Sequence, residues 1–275
     1  KRTYDILRRA QSNSLLGLTA PYINGGEMVN KGIEISLAYN GYVRDGIFKG
    51  LGYNAGVFFD RTRNELTKYG ADYINKGTIC REGLPYQSFY GYEAIGIFRD
   101  EADVAGSPKQ FNDKTLPGDI KYADISGPNG VPDGIIDEND RKVLDGRLPD
   151  FEYTVNLAAS WKGFDLSAIF AYSIGGYIYN RDVTMILHNG SLEGRDWSTE
   201  ILKRWTPDNR YTDVPALSTT SNNWNSASTR FLQNNSYMRL KNLTLSYNLP
   251  KQWISKLSLS SVQVYVQGDN LFTIH

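Results

Sequence analysis

From Phe151 onward, apolar and polar side chains alternate with little interruption. Phe151, Tyr153, Val155, Leu157, Ala159 and Trp161 occupy one set of positions, and Glu152, Thr154, Asn156, Ala158 and Ser160 the other. After Lys162-Gly163 the alternation restarts as Phe164, Leu166, Ala168, Phe170 and Tyr172, against Asp165, Ser167, Ile169 and Ala171. Period two marks a strand whose two faces meet different surroundings. Two such runs joined by two residues predict a hairpin. Each run has about the nine to eleven residues that a tilted strand needs to cross a bilayer.

The plan repeats. Leu243, Leu245, Tyr247 and Leu249 alternate with Asn242, Thr244, Ser246 and Asn248; a Pro250-led connection follows, then Val262, Val264 and Val266 against Gln263, Tyr265 and Gln267. Asn and Gln are costly to place in lipid, so their face is expected to line a lumen. A weaker pair runs from Gly32 to Tyr39 and from Phe48 to Asp60, around a turn at Arg44-Asp45-Gly46, and residues 86–98 are read as a further strand. Short connections (40–46, 162–163, 250–260) alternate with long polar ones (61–85, 99–150, 175–235). Compact domains rarely carry such loops, whereas outer-membrane barrels combine short periplasmic turns with long extracellular loops. The expected fold is all-β: an antiparallel transmembrane β-barrel segment, part of a larger plugged barrel, in one continuous domain over 1–275. The rival reading of the same alternation is a secreted or surface β-rich module for glycan binding or adhesion, with its apolar face covered by a second sheet.

Composition adds direction. Nineteen Tyr, 11 Phe, 5 Trp and 26 Gly suit strands and interfacial girdles. Thirty basic residues balance 30 acidic ones, which argues against nucleic acid as a partner. Mean hydropathy is negative and no stretch is long enough for a transmembrane helix, but a barrel strand would not show in such a measure. Cys80 stands alone and forms no disulfide framework. No signal peptide is visible at Lys1-Arg2-Thr3-Tyr4, and the strand Val262 to Phe272 runs almost to His275, so the chain is read as a fragment.

Two segments carry candidate chemistry. Asp124, Asn129, Asp133, Asp137 and Asp140 lie in a Gly- and Pro-rich loop over 124–140. Ca²⁺ takes six to eight oxygens from short acids and carbonyls around a Gly-permitted turn, and Asp133-Gly134-Ile135-Ile136-Asp137 with Asp140 resembles half of such a loop. The alternative is an Asx-turn loop whose carboxylates bond backbone N–H groups. Trp197, Trp205, Tyr211 and Trp224 cluster among Asp, Asn and Arg. Flat aromatic faces beside planar polar groups suit sugars and also peptides; the alternative is that they pack the loops or sit in the girdle. Nothing reads as catalytic. His188 and His275 are far apart without metal-ligand spacing, and no nucleophile elbow or phosphate loop is present.

An ordered set of motifs resembles the C-terminal half of SusC/RagA-type TonB-dependent transporters of the Bacteroidetes. These are Glu27 to Glu34, Ser88-Phe89-Tyr90-Gly91-Tyr92 with Gly96-Ile97-Phe98, Leu116-Pro117-Gly118-Asp119 to Asp124, and Pro149-Asp150-Phe151 to Leu166. Ser236-Tyr237-Met238-Arg239-Leu240-Lys241-Asn242, Tyr247 to Pro250, Val264-Tyr265-Val266 and Asp269-Asn270-Leu271-Phe272 complete it. The acidic loop departs from the family pattern by its stretched first half. The resemblance implies a plugged barrel of the ~22-strand class, with the plug domain, TonB box and final strands outside this sequence. It also implies TonB-dependent import of a nutrient, an oligosaccharide first and a peptide second, across the outer membrane. The implied partners are a SusD-like surface lipoprotein and TonB. No cofactor is required, Ca²⁺ in the 124–140 loop being the one candidate.

Overall fold

The computed structural model describes all residues except 11–20, 112–114, 145, 189, 191, 193, 219–225 and 256–258. Its frame is one seven-stranded antiparallel sheet in which each strand pairs with the next in sequence. The strands are β1 (Arg2–Arg9), β2 (Tyr22–Tyr42), β3 (Gly52–Lys68), β4 (Phe151–Trp161), β5 (Phe164–Ile174), β6 (Tyr237–Asn248) and β7 (Gln263–Ile274). The sheet is open, with β1 and β7 at its edges.

Register turns the alternation along single strands into two continuous faces. One apolar row runs Leu37, Val57, Val155, Phe170, Leu240, Phe272 across β2 to β7. The next runs Tyr39, Ala55, Leu157, Ala168, Leu243, Gly268. Apart from Leu240, which is buried, these side chains have no layer over them: Leu37 is 68% exposed and Leu157 44%. In water such a surface would be an interaction site or an aggregation hazard; in lipid it is a match.

Aromatic rings bracket the apolar rows. Near the short turns, Tyr39 meets Tyr53, Phe48 meets Trp161 and Phe164 meets Tyr247. At the opposite end, Phe59 meets Phe151, and Tyr153 stacks on Tyr172 with ring centroids 4.3 Å apart. Tyr153 to Trp161 spans roughly 27 Å along the strand, or about 20 Å of height at the usual barrel tilt.

The other face is polar and bonded to itself. Asn64 donates to Asn30 at 2.7 Å, Asn242 to Asp269 at 2.8 Å and Gln263 to Ser246 at 3.0 Å; Asn54 also bonds Asn40. The first long loop folds over this face: Leu66 packs with Tyr69 and Cys80, and Tyr86 N–H donates to Asn64 Oδ1 at 2.7 Å. The loop end of the polar face is therefore covered, while Ser36, Asn40 and Tyr265 farther down it stay exposed.

The hairpin at 162–163 is as expected. Lys162 and Gly163 both have positive φ, 51° and 87°, giving the turn twist that matches two flanking strands. Two expectations need correction. Residues 86–98 do not add a wall strand; they form two short strands, Ser88–Gly91 and Ala94–Ile97, inside the loop layer, with Phe89 and Phe98 buried. The weak pair is much longer than the alternation suggested, because charged residues such as Lys31, Arg61 and Arg63 continue β2 and β3 past the apolar rows. Strand β1 carries no alternation that would mark it in the sequence, because two register shifts break its pairing with β2. Among the described residues no helix is long and apolar enough to cross a membrane.

Candidate functional site: a loop platform with a charged cleft

The two long connections, 69–150 and 175–236, leave the same end of the sheet and fold into one platform. Its core is Tyr92, Ile120, Tyr122 and Ile136. Burial of the Tyr122 ring pushes its phenol well above the usual tyrosine range, so the group stays neutral. Gln110, also buried, clamps the strand Ile120–Tyr122 from both sides: its Nε2 donates to Ile120 O at 2.9 Å and its Oε1 accepts Tyr122 N–H at 2.7 Å.

The Pro117-Gly118-Asp119 segment joins the two loops. Gly118 has φ of +90°, and a Cβ there would meet Ala216 at 2.4 Å and the Trp205 ring at 2.9 Å. Only glycine permits both the conformation and the approach. Gly118 N–H donates to Phe98 O at 2.8 Å, and Gly118 O accepts Ala216 N–H at 2.9 Å. Asp119, nearly buried, accepts Leu116 N–H at 2.8 Å.

Around this junction lies a cleft of about 810 Å³ lined chiefly by the charged residues Arg99, Asp100, Asp103, Lys121, Arg210 and Asp213, with Tyr211 beside them. Arg99 stands over the Tyr211 ring, 4.9 Å from its centroid. Trp205 Nε1 donates to Arg99 O at 3.1 Å and so fixes the backbone beneath. Lys121 pairs with Asp103 at 2.7 Å, and Arg210 with Asp100 at 3.6 Å. Burial works to raise the Asp103 pKa, but Lys121 and the Arg99 N–H outweigh it, so the carboxyl is held below the usual carboxylate range. The cleft offers fixed charges of both signs and one open aromatic face, Tyr211 being 81% exposed. That set can grip a ligand with its own cationic, anionic and flat groups.

The structure brings together two of the four aromatic candidates, Trp205 as support and Tyr211 as a cleft wall. Trp197 lies apart, stacked on the buried His188 ring at 4.9 Å, with its Nε1 donating to His188 O at 3.0 Å. Trp224 lies outside the described residues. Arg99, Asp103, Lys121 and Arg210 were not singled out from sequence. Lys121 could have been, because it alternates with Ile120 and Tyr122, both buried.

The acidic loop is bonded to itself. Asp124 accepts Gly134 N–H at 2.7 Å, Asp133 accepts Ile135 N–H at 3.0 Å and Asp137 accepts Asn139 N–H at 2.7 Å. Asp140 accepts Ile125 N–H at 2.8 Å and Asp137 N–H at 2.9 Å. Asn129 is exposed at the loop tip. Among the described residues no three His, Cys, Asp or Glu side chains converge as a metal site.

No family model matches the chain. Two relatives from Formosa agariphila do: TonB-dependent receptor P3, 31% identical over 284 residues, and TonB-dependent receptor P26, 26% identical over 285 residues. These alignments take in 99% and 98% of this chain but 27% of each relative, so the chain spans about a quarter of their length. Of solved structures, the RagAB peptide importer in its closed-closed state superposes with a TM-score of 0.76 at 29% identity, over 100% of this chain and 29% of that one. The open-open state of the same importer gives 0.74 at 29% identity, over 100% of this chain and 28% of that one. The likeness covers the sheet and the loops together, and the relatives are outer-membrane transport proteins rather than enzymes. The chain is a partial homologue of the TonB-dependent receptors, matching part of a RagA-type, SusC-like barrel.

Proposed function

We propose that residues 1–275 supply the C-terminal part of the wall, and several extracellular loops, of a TonB-dependent importer in the bacterial outer membrane. Plug and closing strands come from elsewhere in the full-length protein. The observation that carries this reading is the two-faced sheet: uncovered apolar rows between two aromatic belts on one side, a self-bonded polar face under the loops on the other. A closed barrel of such strands satisfies its backbone in lipid and leaves a polar path inside. A SusD-like lipoprotein would cover the loop platform, and TonB would supply the energy.

The charged cleft favours a peptide as cargo. Arg99, Lys121 and Arg210 beside Asp100, Asp103 and Asp213 can pair with termini and ionised side chains, whereas a neutral oligosaccharide could hydrogen-bond these groups but would neutralise none of their charge. RagAB, the solved likeness, is a peptide importer. The sugar reading rests on the loop aromatics. Extraction of the native protein tests the proposal. Recovery from the membrane fraction with a surface lipoprotein, and retention of mixed peptides over neutral oligosaccharides, is the expected result. Recovery alone from the soluble fraction would transfer the sheet to a secreted adhesin-like module.

A further inference from the structure

Strands β2 and β3 continue beyond the upper aromatic belt, and β4 does not. Phe59 pairs with Tyr153 in the belt, but Arg61 and Arg63 lie past the last paired residues of β3 and β4, Asp60 and Glu152. A notch of about 850 Å³ results, between residues 61–65 and the segment 146–150. Arg61 and Arg63 project from the same face as Phe59, Val57 and Leu37, and Lys31 lies directly opposite Arg63. Arg147 also lines the notch but turns into the loop layer, donating to Gln87 at 3.0 Å with its guanidinium over the Phe89 ring, so three cations face outward, against two carboxylates, Glu65 and Asp150. Lys31, Arg61 and Arg63 are exposed and make no ion pair among the described residues.

Three unpaired cations on the apolar face of a membrane wall need an account, and their height gives one. Each second residue rises about 7 Å along a strand, so at barrel tilt Arg61 and Arg63 sit roughly 5 and 10 Å above the belt. Aromatic belts lie at headgroup level, which puts the guanidinium groups in the phosphate layer on the long-loop side. Arginine forks match phosphate oxygens in pairs, and the notch has the size of a small-ligand site.

We propose that Lys31, Arg61 and Arg63 form a binding site for the phosphate headgroup of a membrane lipid, on the outside of the barrel beside the extracellular loops. The inference rests on the outer-membrane reading above.

The test uses the full-length protein in neutral detergent, with native mass spectrometry after addition of phosphatidic acid or of phosphatidylcholine with the same acyl chains. Phosphatidic acid, with its phosphate uncapped, should be retained preferentially. Arg61→Gln with Arg63→Gln should weaken it roughly 25-fold, taking about fivefold per cation. Lys31→Gln, on the neighbouring strand, should weaken it about fivefold and stands in if the first pair fails to fold. Equal retention of both lipids, or no change in a folded variant, overturns the site. Displacement of the lipid by excess inorganic phosphate alone would make the ligand a free anion and overturn the lipid assignment. A full-length protein that never enters the membrane fraction would remove the importer reading and this site with it, whereas a membrane-embedded protein without phosphate preference removes only the site.

Discussion

Asp140 is fully excluded from solvent, and its Oδ1 accepts the Ile125 N–H at 2.8 Å across the base of the acidic loop. The same oxygen accepts Ser126 N–H at 3.1 Å, while Oδ2 closes a capping box with Asp137 N–H at 2.9 Å. One carboxylate thus satisfies three backbone donors. Asp140→Ala leaves them buried and unpaired, at about 1–3 kcal/mol for each that water cannot reach. We expect a loss of about 3 kcal/mol in the platform's local stability, and less for Asp140→Asn. Hydrogen exchange at Ile125 and Ser126 would show it, and unchanged protection there would refute the role.

The bonding of Asp124, Asp133, Asp137 and Asp140 to N–H groups within the loop also bears on calcium. An ion would have to compete with bonds already made, so we propose that this loop holds its shape without one. Chelation of Ca²⁺ from the full-length protein should move its Tm by less than about 2 °C, the shift expected of an effect under ~1 kcal/mol. A fall of several degrees, reversed by Ca²⁺ and absent in Asp133→Asn, would establish an ion loop instead.

Leu157 sits mid-band on the apolar face, between Ala55 and Ala168. Leu157→Arg should cost about 2–4 kcal/mol of barrel stability in a bilayer, as for a cation at the midplane. Asn156→Lys, one residue away on the polar face, should be tolerated. Urea unfolding in liposomes distinguishes them, and equal losses at both positions would mean that the faces are assigned the wrong way round.

The wall was legible where one strand carried the whole signal. Phe151 to Trp161 and Phe164 to Tyr172 alternate because each strand has one face in the apolar rows and the other among polar groups. Beyond the aromatic belt that contrast ends: Lys31, Arg61 and Arg63 put charge on the face that carries the apolar rows, so alternation fades while the strand continues. Residues 86–98 carried the opposite trap. Phe89, Tyr92, Ile97 and Phe98 are apolar because they fill the platform's own core, not because they face lipid. The cleft was least legible. Arg99 and Tyr211 are far apart in sequence, and only the Gly118 junction sets them side by side.

That junction makes Gly118 a sensitive position. A methyl group would strike Ala216 and Trp205 and strain a left-handed backbone at once. Gly118→Ala should loosen Trp205 from Arg99 O and weaken cargo binding by roughly tenfold, about 1.4 kcal/mol. Tyr211→Ala, which leaves the backbone alone, should cost about two- to fivefold through the lost Arg99 contact, worth roughly 0.5–1 kcal/mol at an exposed site. Calorimetry with a mixed peptide pool checks both. Full affinity in Tyr211→Ala would place the cargo elsewhere.

The Asp103–Lys121 pair gives the cleft a pH dependence whose sign is fixed. Because the folded carboxyl is held below its ordinary value, its contribution is complete above about pH 4, the unfolded carboxylate range, and is lost as pH falls through the lower folded value. The side chains are a quarter exposed, so solvent screening keeps the effect modest. Protection of the Arg99 N–H, which donates to Asp103 at 3.0 Å, should hold from neutral pH to about pH 4 and fall below it. In Asp103→Asn the fall should vanish. A fall centred near pH 6 would point to a histidine instead.

Expression of residues 1–275 alone tests the wall most directly. Strands β1 and β7 would each present an unpaired edge, and rows from Leu37 to Phe272 would face water. An open sheet with long free edges templates further pairing, and an uncovered apolar face of this extent drives association. The isolated chain should therefore aggregate in plain buffer and recover strand content only with detergent. The β1 edge, with Arg2 paired to Glu27 at 3.0 Å, is the better guarded. The β7 edge, with Val264, Val266 and Phe272 exposed, should be where association starts. Val266→Lys should then delay aggregation, while a lysine at Gln267, on the polar face, should not. A monodisperse, folded monomer of 1–275 without detergent would mean that another surface of the chain covers these rows.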